Sequence, residues 1–344
     1  MTPATPRARL ASVCPQVRPA TPADAVAGVL PGYVAAPATL AEASALLEAA
    51  AGLGLTVLPR GGGTRLDWGN PPRQCDLIVE TRLLDAVLEH AAGDLVVRVQ
   101  AGLPVAALAR VLAKAGQRLA LDPPSTGGGT GDGTVGGLVA TGVAGPLRLR
   151  YGTPRDLLLG ITIVRADGVV ARGGGKVVKN VAGYDIGKLL AGSYGTLGLI
   201  TEVTFRLHPA PRAVSYVSLD CASPQAAAAA LLRAASSTLS PAAAELDWPA
   251  ASAPVSVAVL LEGDPAVLAE RATGMRELLA GTAGITASAG ITASAGTAAP
   301  PWWGRGAAAA AAGTVLRIAF WPGLLGDVLG TIRAAATRAA LDPA

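Results

Sequence analysis

The chain has 344 residues, 51% of them apolar, and a formal net charge of +4. That balance, with no block of basic residues, argues against nucleic-acid binding. Cys14, Cys75 and Cys221 lie far apart and form no CxxC pair, which excludes a zinc ribbon or an iron–sulfur cluster built from this chain alone.

The first part of the chain predicts an alternation of short strands and helices after a Pro/Ala-rich lead-in over residues 1–31. The strand pattern is found at 55–59, 75–81, 94–102 and 199–209, and the helix pattern at 38–52 and 104–116. Residues 156–174 predict a hairpin that turns at Asp167-Gly168.

A different pattern begins near Pro211. Strands are predicted at 213–220, 244–248, 256–263 and 314–320, and helices at 223–237, 264–281 and 323–340. The order βαββαβ plus a helix predicts a second, smaller α+β domain of the ferredoxin-like type. The repeated segment ITASAGITASAG, residues 285–296, is expected to be a surface insertion without a function.

The most glycine-rich stretch, residues 127–137, contains Gly131-x-Gly133-x-x-Gly136. This string matches a dinucleotide fingerprint, which needs a strand directly before it and an acidic residue about 20 positions later. The preceding DPPSTGGGT is no central strand, and the acidic candidate, Asp156, follows a turn. The stretch therefore argues against a nicotinamide-binding Rossmann fold, and no P-loop string is present.

Two further segments are rich in glycine. PRGGGT, Pro59 to Thr64, is a turn at the end of a predicted strand. Successive glycines can present backbone N–H groups to a phosphate, so this loop and the 127–137 loop can hold one pyrophosphate from two sides. In the third segment, Gly192, Gly195 and Gly198 allow backbone to approach a flat ring system.

These segments, in this order, resemble the flavoproteins of the vanillyl-alcohol oxidase/p-cresol methylhydroxylase (PCMH) type. The resemblance rests on PRGGGT, GTVGGLVATGVAGP, YGTPRDLLLG and KNVAGYDIGKLLAGSYGTLGLITEV, and covers residues 33–212. It implies a PCMH-type FAD-binding domain of two α+β subdomains over 32–211, followed by a cap, substrate or subunit-contact domain over 212–344. FAD bound without a covalent link is the expected cofactor, and no metal is expected.

The resemblance also implies which residues hold FAD. The pyrophosphate loop would be Arg60, Gly61, Gly62, Gly63 and Thr64, which donate backbone amides. The second loop would supply Pro124, Thr134, Val135, Gly136, Gly137, Thr141 and Gly142, with Gly195 near the ring and Ile200 near the adenine.

Groups for catalysis are fewer. Oxidation of a 2-hydroxy acid needs a cation for the carboxylate and a base for the hydroxyl proton. His90, in a predicted turn, is expected to lie at the surface, and His208, at the end of a strand, is expected to be structural. The catalytic candidates are Lys179, Tyr184 and Arg155, with Lys176 and Tyr194 also near the flavin segments. The alternative is that the cations are solvated loop charges and the tyrosines pack in the core.

Within the family, the motifs are most similar to the flavin subunits of bacterial glycolate oxidases. That similarity implies a sister FAD subunit and an iron–sulfur subunit as partners, with this chain accepting or relaying electrons through FAD. Two alternatives stay open: a stand-alone FAD oxidase or dehydrogenase of another alcohol or sugar acid, and a non-catalytic flavin-binding scaffold. We expect a cytoplasmic protein that associates with the inner membrane through its partners. No membrane-spanning segment is expected, because no apolar stretch reaches the about 18–20 residues of a membrane span.

Overall fold

The computed structural model describes residues 5–124, 133–176, 184–249, 253–281, 294–306 and 315–338. It divides into two compact units. The first comprises Met1–Ala120, Gly128–Val143 and Thr153–Ala210, and the second comprises Leu121–Gly127, Ala144–Gly152 and Pro211–Ala344. The assignment of flavin and cap roles to residues 32–211 and 212–344 stays a prediction.

Helices and strands alternate along the described residues. The helices are α1 (Pro6–Ala11), α2 (Leu40–Gly52), α3 (Val105–Ala113), α4 (Val135–Thr141), α5 (Arg148–Tyr151), α6 (Pro154–Leu157), α7 (Ile186–Leu190), α8 (Pro224–Ala235), α9 (Pro265–Ala280) and α10 (Leu325–Arg338). The strands are β1 (Val17–Pro19), β2 (Tyr33–Ala35), β3 (Val57–Arg60), β4 (Leu77–Glu80), β5 (Val87–Ala91), β6 (Val96–Gln100), β7 (Gln117–Arg118), β8 (Leu158–Val164), β9 (Val170–Gly174), β10 (Leu199–Arg206), β11 (His208–Pro209), β12 (Ala213–Cys221), β13 (Ala243–Asp247), β14 (Val255–Gly263) and β15 (Ser294–Gly296).

The first unit contains two larger sheets. One has the order β1-β2-β4-β3, in which β4 runs parallel to both of its neighbours. The other has the order β5-β6-β10-β8-β9 and is antiparallel throughout. Helix α2 packs Leu46 and Ala50 against Leu77 of β4, and the Thr39 hydroxyl caps its start by accepting the Glu42 N–H. Strand β3 of this sheet ends at Arg60, so the PRGGGT segment begins within the strand and leaves the sheet at its end.

The predicted hairpin at Asp167-Gly168 is confirmed. Strands β8 and β9 pair antiparallel, and Gly168 adopts a positive φ of 82° at the turn. The Arg165 N–H donates to the Val169 carbonyl across the turn at 2.9 Å. A Cβ at Gly168 would lie 2.8 Å from the Ser44 carbonyl oxygen of α2, so glycine is required here by both the turn and the packing.

The second unit has an antiparallel sheet in the order β13-β14-β12-β15. This is the split βαβ arrangement expected of a ferredoxin-like domain. Helices α8 and α9 cover one face, where Val217, Val257 and Met275 are fully buried. The predicted α+β fold class is therefore borne out in this unit.

One predicted strand of this unit is wrong. Residues 315–320, the described part of TVLRIAF, form no regular structure and are exposed. The fourth strand is instead β15, which pairs with Tyr216–Ser218 of β12. It lies within the second copy of the repeat, so that copy contributes an edge strand rather than a mere surface insertion. The first copy lies outside the described residues.

All three cysteines are buried and free. Burial raises the pKa of the Cys14 and Cys75 thiols and brings that of Cys221 to about 11. The thiolate is the reactive form, so we expect no fast reaction with a thiol reagent at pH 8 and three reactive thiols per chain after unfolding in denaturant. A thiol of the folded protein that reacts at the rate of a free cysteine would contradict the buried positions.

Among the described residues, no helix combines the length and apolar character needed to cross a membrane.

Candidate functional site

The first unit contains a cavity between the three glycine-rich segments. Its volume is about 120 Å³, less than the roughly 300 Å³ of a pocket that encloses a whole ligand. The lining residues are Pro59, Arg60, Gly61, Gly62, Gly63, Thr64, Arg65, Leu66, Thr81, Gly133, Thr134, Gly136, Gly137, Ala140, Thr141, Tyr194, Gly195, Gly198, Leu199 and Ile200. The cavity fits one part of a long cofactor rather than all of it.

Two glycine loops meet at this cavity. A Cβ added at Gly61 would collide with the Thr134 Oγ1, and one added at Gly62 would lie 3.2 Å from the Gly133 Cα. Gly63 has a positive φ of 73°, a conformation that side chains with a Cβ rarely adopt. The loops can approach this closely only because the positions are glycine.

The backbone N–H groups of the two walls differ. Within the described residues, the N–H groups of Gly61–Thr64 donate no hydrogen bond to the protein. In α4, by contrast, Val135 donates to the Leu103 carbonyl at 2.9 Å and Gly136 to the Ala101 carbonyl at 2.7 Å. The Gly61–Thr64 loop therefore offers a run of four N–H donors to a bound anion.

Helix α4 was not predicted, although its first turn lies within the predicted second loop. The Thr134 Oγ1 caps the helix by accepting the Gly137 N–H at 3.3 Å. Gly136 must be small, because a Cβ there would lie 2.7 Å from the Ala101 Cβ. The first turn of α4 is thus fixed against the segment that follows β6.

Arg60 starts the first loop, but its side chain bonds to carboxylates. Its Nη2 lies 2.8 Å from the Asp24 Oδ1 and 2.6 Å from the Glu80 Oε1. The hydrogen bond from Arg18, with a further one from Arg60, outweighs burial and holds the pKa of the Asp24 carboxyl far below its usual range. Arg60 therefore anchors the loop to β4, and its backbone rather than its guanidinium is available at the cavity.

The third wall follows α7. The Tyr194 N–H donates to the Ala140 carbonyl of α4 at 2.8 Å, and the Gly192 N–H donates to the Val139 carbonyl at 3.0 Å. Tyr194 and Gly195 have positive φ values of 53° and 75°. These backbone bonds tie the third glycine segment to α4.

The structure brings most of the predicted FAD residues together. Those that line the cavity are Arg60, Gly61, Gly62, Gly63, Thr64, Thr134, Gly136, Gly137, Thr141, Gly195 and Ile200. Val135 is instead fully buried, and Gly142 ends α4 with a φ of 60° beside Gly192. Pro124 belongs to the second unit. The assignment of all these residues to FAD stays a prediction.

The predicted catalytic side chains are not gathered at the cavity. Tyr184 is 97% exposed, and Arg155 is an exposed residue of α6. Lys179 lies outside the described residues. Lys176 forms an ion pair with Glu89, whereas Tyr194 does line the cavity. Catalytic roles for Lys179, Tyr184 and Arg155 stay predictions.

Neither histidine is among the described residues that line the cavity, and both make hydrogen bonds to other side chains. His90 lies in strand β5, not in the predicted turn, and its Nε2 is 2.9 Å from the Gln117 Oε1. The His208 Nε2 lies 3.3 Å from Arg206 Nη2. Among the described residues, no group of three or more His, Cys, Asp and Glu side chains could hold a metal ion.

The cavity also includes a side chain that the sequence analysis did not single out. Arg65 directly follows PRGGGT and lines the cavity. Its Nη1 lies 3.4 Å from the Thr64 Oγ1, and its guanidinium lies 5.3 Å from the centre of the Trp68 ring. Its place directly after a glycine loop suited to phosphate binding could have identified Arg65 in the sequence.

Comparison with known proteins points to one cofactor family. Residues 31–174 match the family model described as FAD binding domain. The chain is 40% identical to glycolate oxidase subunit GlcE of Escherichia coli (strain K12) over 135 residues, which is 39% of this chain and 38% of that protein. It is 34% identical over 182 residues to glycolate oxidase subunit GlcD of Bacillus subtilis (strain 168), which is 53% and 38% of the two chains.

A third relative is the D-lactate dehydrogenase of Archaeoglobus fulgidus, 36% identical over 186 residues, or 54% of this chain and 41% of that protein. The chain thus spans less than half the length of these curated relatives. A solved alkyldihydroxyacetonephosphate synthase superposes with a TM-score of 0.61 at 23% identity, covering 74% of this chain and 51% of the other. That likeness supports the fold alone, and the predicted α+β, PCMH-type fold class is confirmed.

Proposed function

We propose that this chain is the FAD-binding subunit of an oxidoreductase that acts on glycolate or a similar 2-hydroxy acid, because residues 31–174 match the family model described as FAD binding domain. The family match confirms the predicted resemblance and the predicted cofactor. The observation that carries the site is the run of N–H groups at Gly61–Thr64, for which the described part of the chain provides no acceptor.

The cavity fits the diphosphate of FAD in three respects. Glycines let the two loops come close enough to surround it. The N–H groups of Gly61–Thr64 supply donors for its oxygens, as oriented amides do in other anion sites. No Asp or Glu is among the described residues that line the cavity, so none of those residues repels the phosphates.

When bound, FAD supplies the ability to take a hydride from a carbon that bears a hydroxyl. The residues of this chain bind and orient the cofactor. Gly61–Thr64 would hold the diphosphate, Gly195 would let the backbone approach the flavin ring, and Ile200 would meet the adenine side through its backbone. We retain Lys179, Tyr184 and Arg155 as candidates for contacts to the substrate.

Work within a complex is supported by the names of two relatives, which are both glycolate oxidase subunits. We propose a sister FAD subunit and an iron–sulfur subunit as partners, which would carry electrons away from the flavin. Affinity purification of the chain from its native cells, followed by mass spectrometry, tests this. Recovery of a flavoprotein and an iron–sulfur protein is expected, and recovery of the chain alone at native concentration would contradict it.

We expect the purified chain to bind one FAD. The test is a titration of FAD into folded apoprotein, followed by flavin fluorescence and by the rise in Tm. Riboflavin, which lacks the diphosphate, is the matched ligand control and should bind far more weakly. Folded protein, verified by circular dichroism, that takes up no FAD would overturn the proposal.

The similarity to a D-lactate dehydrogenase favours a second candidate, a dehydrogenase that needs no partner. Anaerobic mixing of the FAD-loaded chain with glycolate or D-lactate distinguishes the two. Bleaching of the flavin absorbance by the isolated chain supports the stand-alone enzyme. Bleaching only after partner subunits are added supports the subunit of a complex. Turnover by the assembled complex without any reduction of the flavin on this chain supports a scaffold.

A further inference from the structure

We propose that Arg65 is the cation that binds the diphosphate of FAD, and that it makes this cavity select FAD over flavins without a diphosphate. This inference rests on the proposed function, because it assigns a residue to the same cofactor. It adds a side chain to a site that is otherwise built from backbone.

Arg65 lies beside both glycine loops. Its Nη1 lies 3.4 Å from the Thr64 Oγ1 on the first loop. On the second loop, a Cβ added at Gly133 would lie 3.4 Å from the same Nη1. The guanidinium is therefore placed where the two loops meet, at the border of the cavity that it lines.

Trp68 orients this side chain. The guanidinium carbon of Arg65 lies 5.3 Å from the centre of the Trp68 ring, within the range of a cation–π contact. The Trp68 N–H also donates to the Arg65 carbonyl at 3.3 Å. A half-buried guanidinium held on an aromatic face loses less freedom when it binds a phosphate than an exposed one does.

Arg60 is the other cation among the described residues that line the cavity. Its guanidinium donates to both Asp24 and Glu80, which tie this side chain to β4 and to Asp24. A diphosphate carries about two negative charges and offers oxygens in pairs, which suit the planar fork of a guanidinium. The Gly61–Thr64 amides supply directed donors, and Arg65 supplies the charge.

The test compares three variants in FAD and riboflavin titrations followed by flavin fluorescence. Arg65→Ala is expected to raise the Kd for FAD about 10- to 100-fold, as expected when a charged hydrogen bond is lost, and to leave the Kd for riboflavin unchanged. Arg65→Lys keeps the charge without the fork and should lie between. Arg73→Ala, which removes an exposed arginine outside the cavity lining, is the matched control and should bind FAD as the wild type does.

A second measurement is the dependence of the FAD Kd on salt concentration. The slope should be shallower for Arg65→Ala than for the wild type, because one charge contact is missing. Equal FAD affinities for Arg65→Ala and Arg73→Ala would overturn this inference while leaving FAD binding itself intact. A wild-type chain that binds no FAD would instead overturn the proposed function, and the melting temperatures of the apoproteins show whether each variant is folded.

Discussion

Gly61→Ala is expected to weaken FAD binding about 100-fold, with the chain still folded. The new methyl group would occupy the position of the Thr134 Oγ1, and overpacking of this kind costs about 1–3 kcal/mol. The first loop would have to move away from α4, which would carry the Gly61–Thr64 amides out of position. The measurement is the Kd for FAD, with circular dichroism of the apoprotein as the check on folding.

Two companion variants make this result specific. Gly93→Ala adds a methyl group where no atom lies within 4 Å, and it should leave FAD affinity unchanged. Thr134→Ala removes the colliding oxygen, although it also removes the cap of α4 at a cost of about 1 kcal/mol. The double variant Gly61→Ala/Thr134→Ala should therefore bind FAD more tightly than Gly61→Ala alone, and a double variant that is weaker than either single variant would refute the loop contact.

Glu245→Gln is expected to stabilise the second unit at pH 8 by up to about 3 kcal/mol. Burial, with smaller contributions from Asp122 and Asp247, raises the pKa of the Glu245 carboxyl to about 7, against a hydrogen bond from the Gly304 N–H. That N–H lies 2.7 Å from the Glu245 Oε2. A glutamine oxygen can accept the same bond without a charge.

The direction of the pH effect follows from the raised pKa. The folded state holds the Glu245 proton more tightly than the unfolded chain, whose carboxyl titrates near the ordinary value of 4.5. The contribution of Glu245 to the free energy of unfolding is therefore fully present below that value and declines as the pH rises towards about 7. Denaturant unfolding followed by tryptophan fluorescence should show this decline in the wild type and a flatter profile in Glu245→Gln.

The control for this prediction is Asp220→Asn. Asp220 is an exposed residue of β12, and among the described residues its carboxylate accepts a side-chain hydrogen bond only from the Ser256 hydroxyl. Its removal should leave the pH profile as in the wild type. Wild-type stability that rises between pH 5 and pH 7 would show that Glu245 ionises readily in the folded state, against the prediction.

Local patterns predicted several elements well, because their causes lie within a few residues. Helix α2 has a Thr39 cap and a run of helix-forming Ala and Leu, and it ends at Gly52 as predicted. The β8–β9 hairpin follows from the Asp167-Gly168 turn. In both cases the residues that determine the element are part of it.

Helix α4 was missed because its stability comes from elsewhere in the chain. Gly136, Gly137 and Thr141 are poor helix formers, so the sequence around them indicates a loop. Its first N–H groups are satisfied by the carbonyls of Ala101 and Leu103, more than 30 positions earlier in the sequence. A distant part of the chain also accounts for the strand wrongly predicted over TVLRIAF, of which residues 315–320 are described. The apolar pattern of this segment does not reveal that the edge of β12 is already paired with β15.

The candidate site also has features that local sequence predicts and features that depend on the fold. The glycine loops could be identified from their composition and their order along the chain, so the residues around the cavity could be predicted. The burial of Val135 and the exposure of Tyr184 could not, since each depends on which way a short segment faces. The resemblance placed the backbone of Arg60 in the pyrophosphate loop, but only the fold shows that its guanidinium donates to Asp24 and Glu80.

The unequal hydrogen bonding of the two cavity walls has a consequence for how a ligand would be accommodated. The α4 wall is already locked by bonds to Ala101, Leu103 and the third glycine segment. The Gly61–Thr64 wall has its donors in place but lacks a protein acceptor among the described residues to hold them. The loss of backbone entropy on binding should therefore fall on one short loop, and hydrogen exchange should slow most at those four amides while the amides of α4 change little.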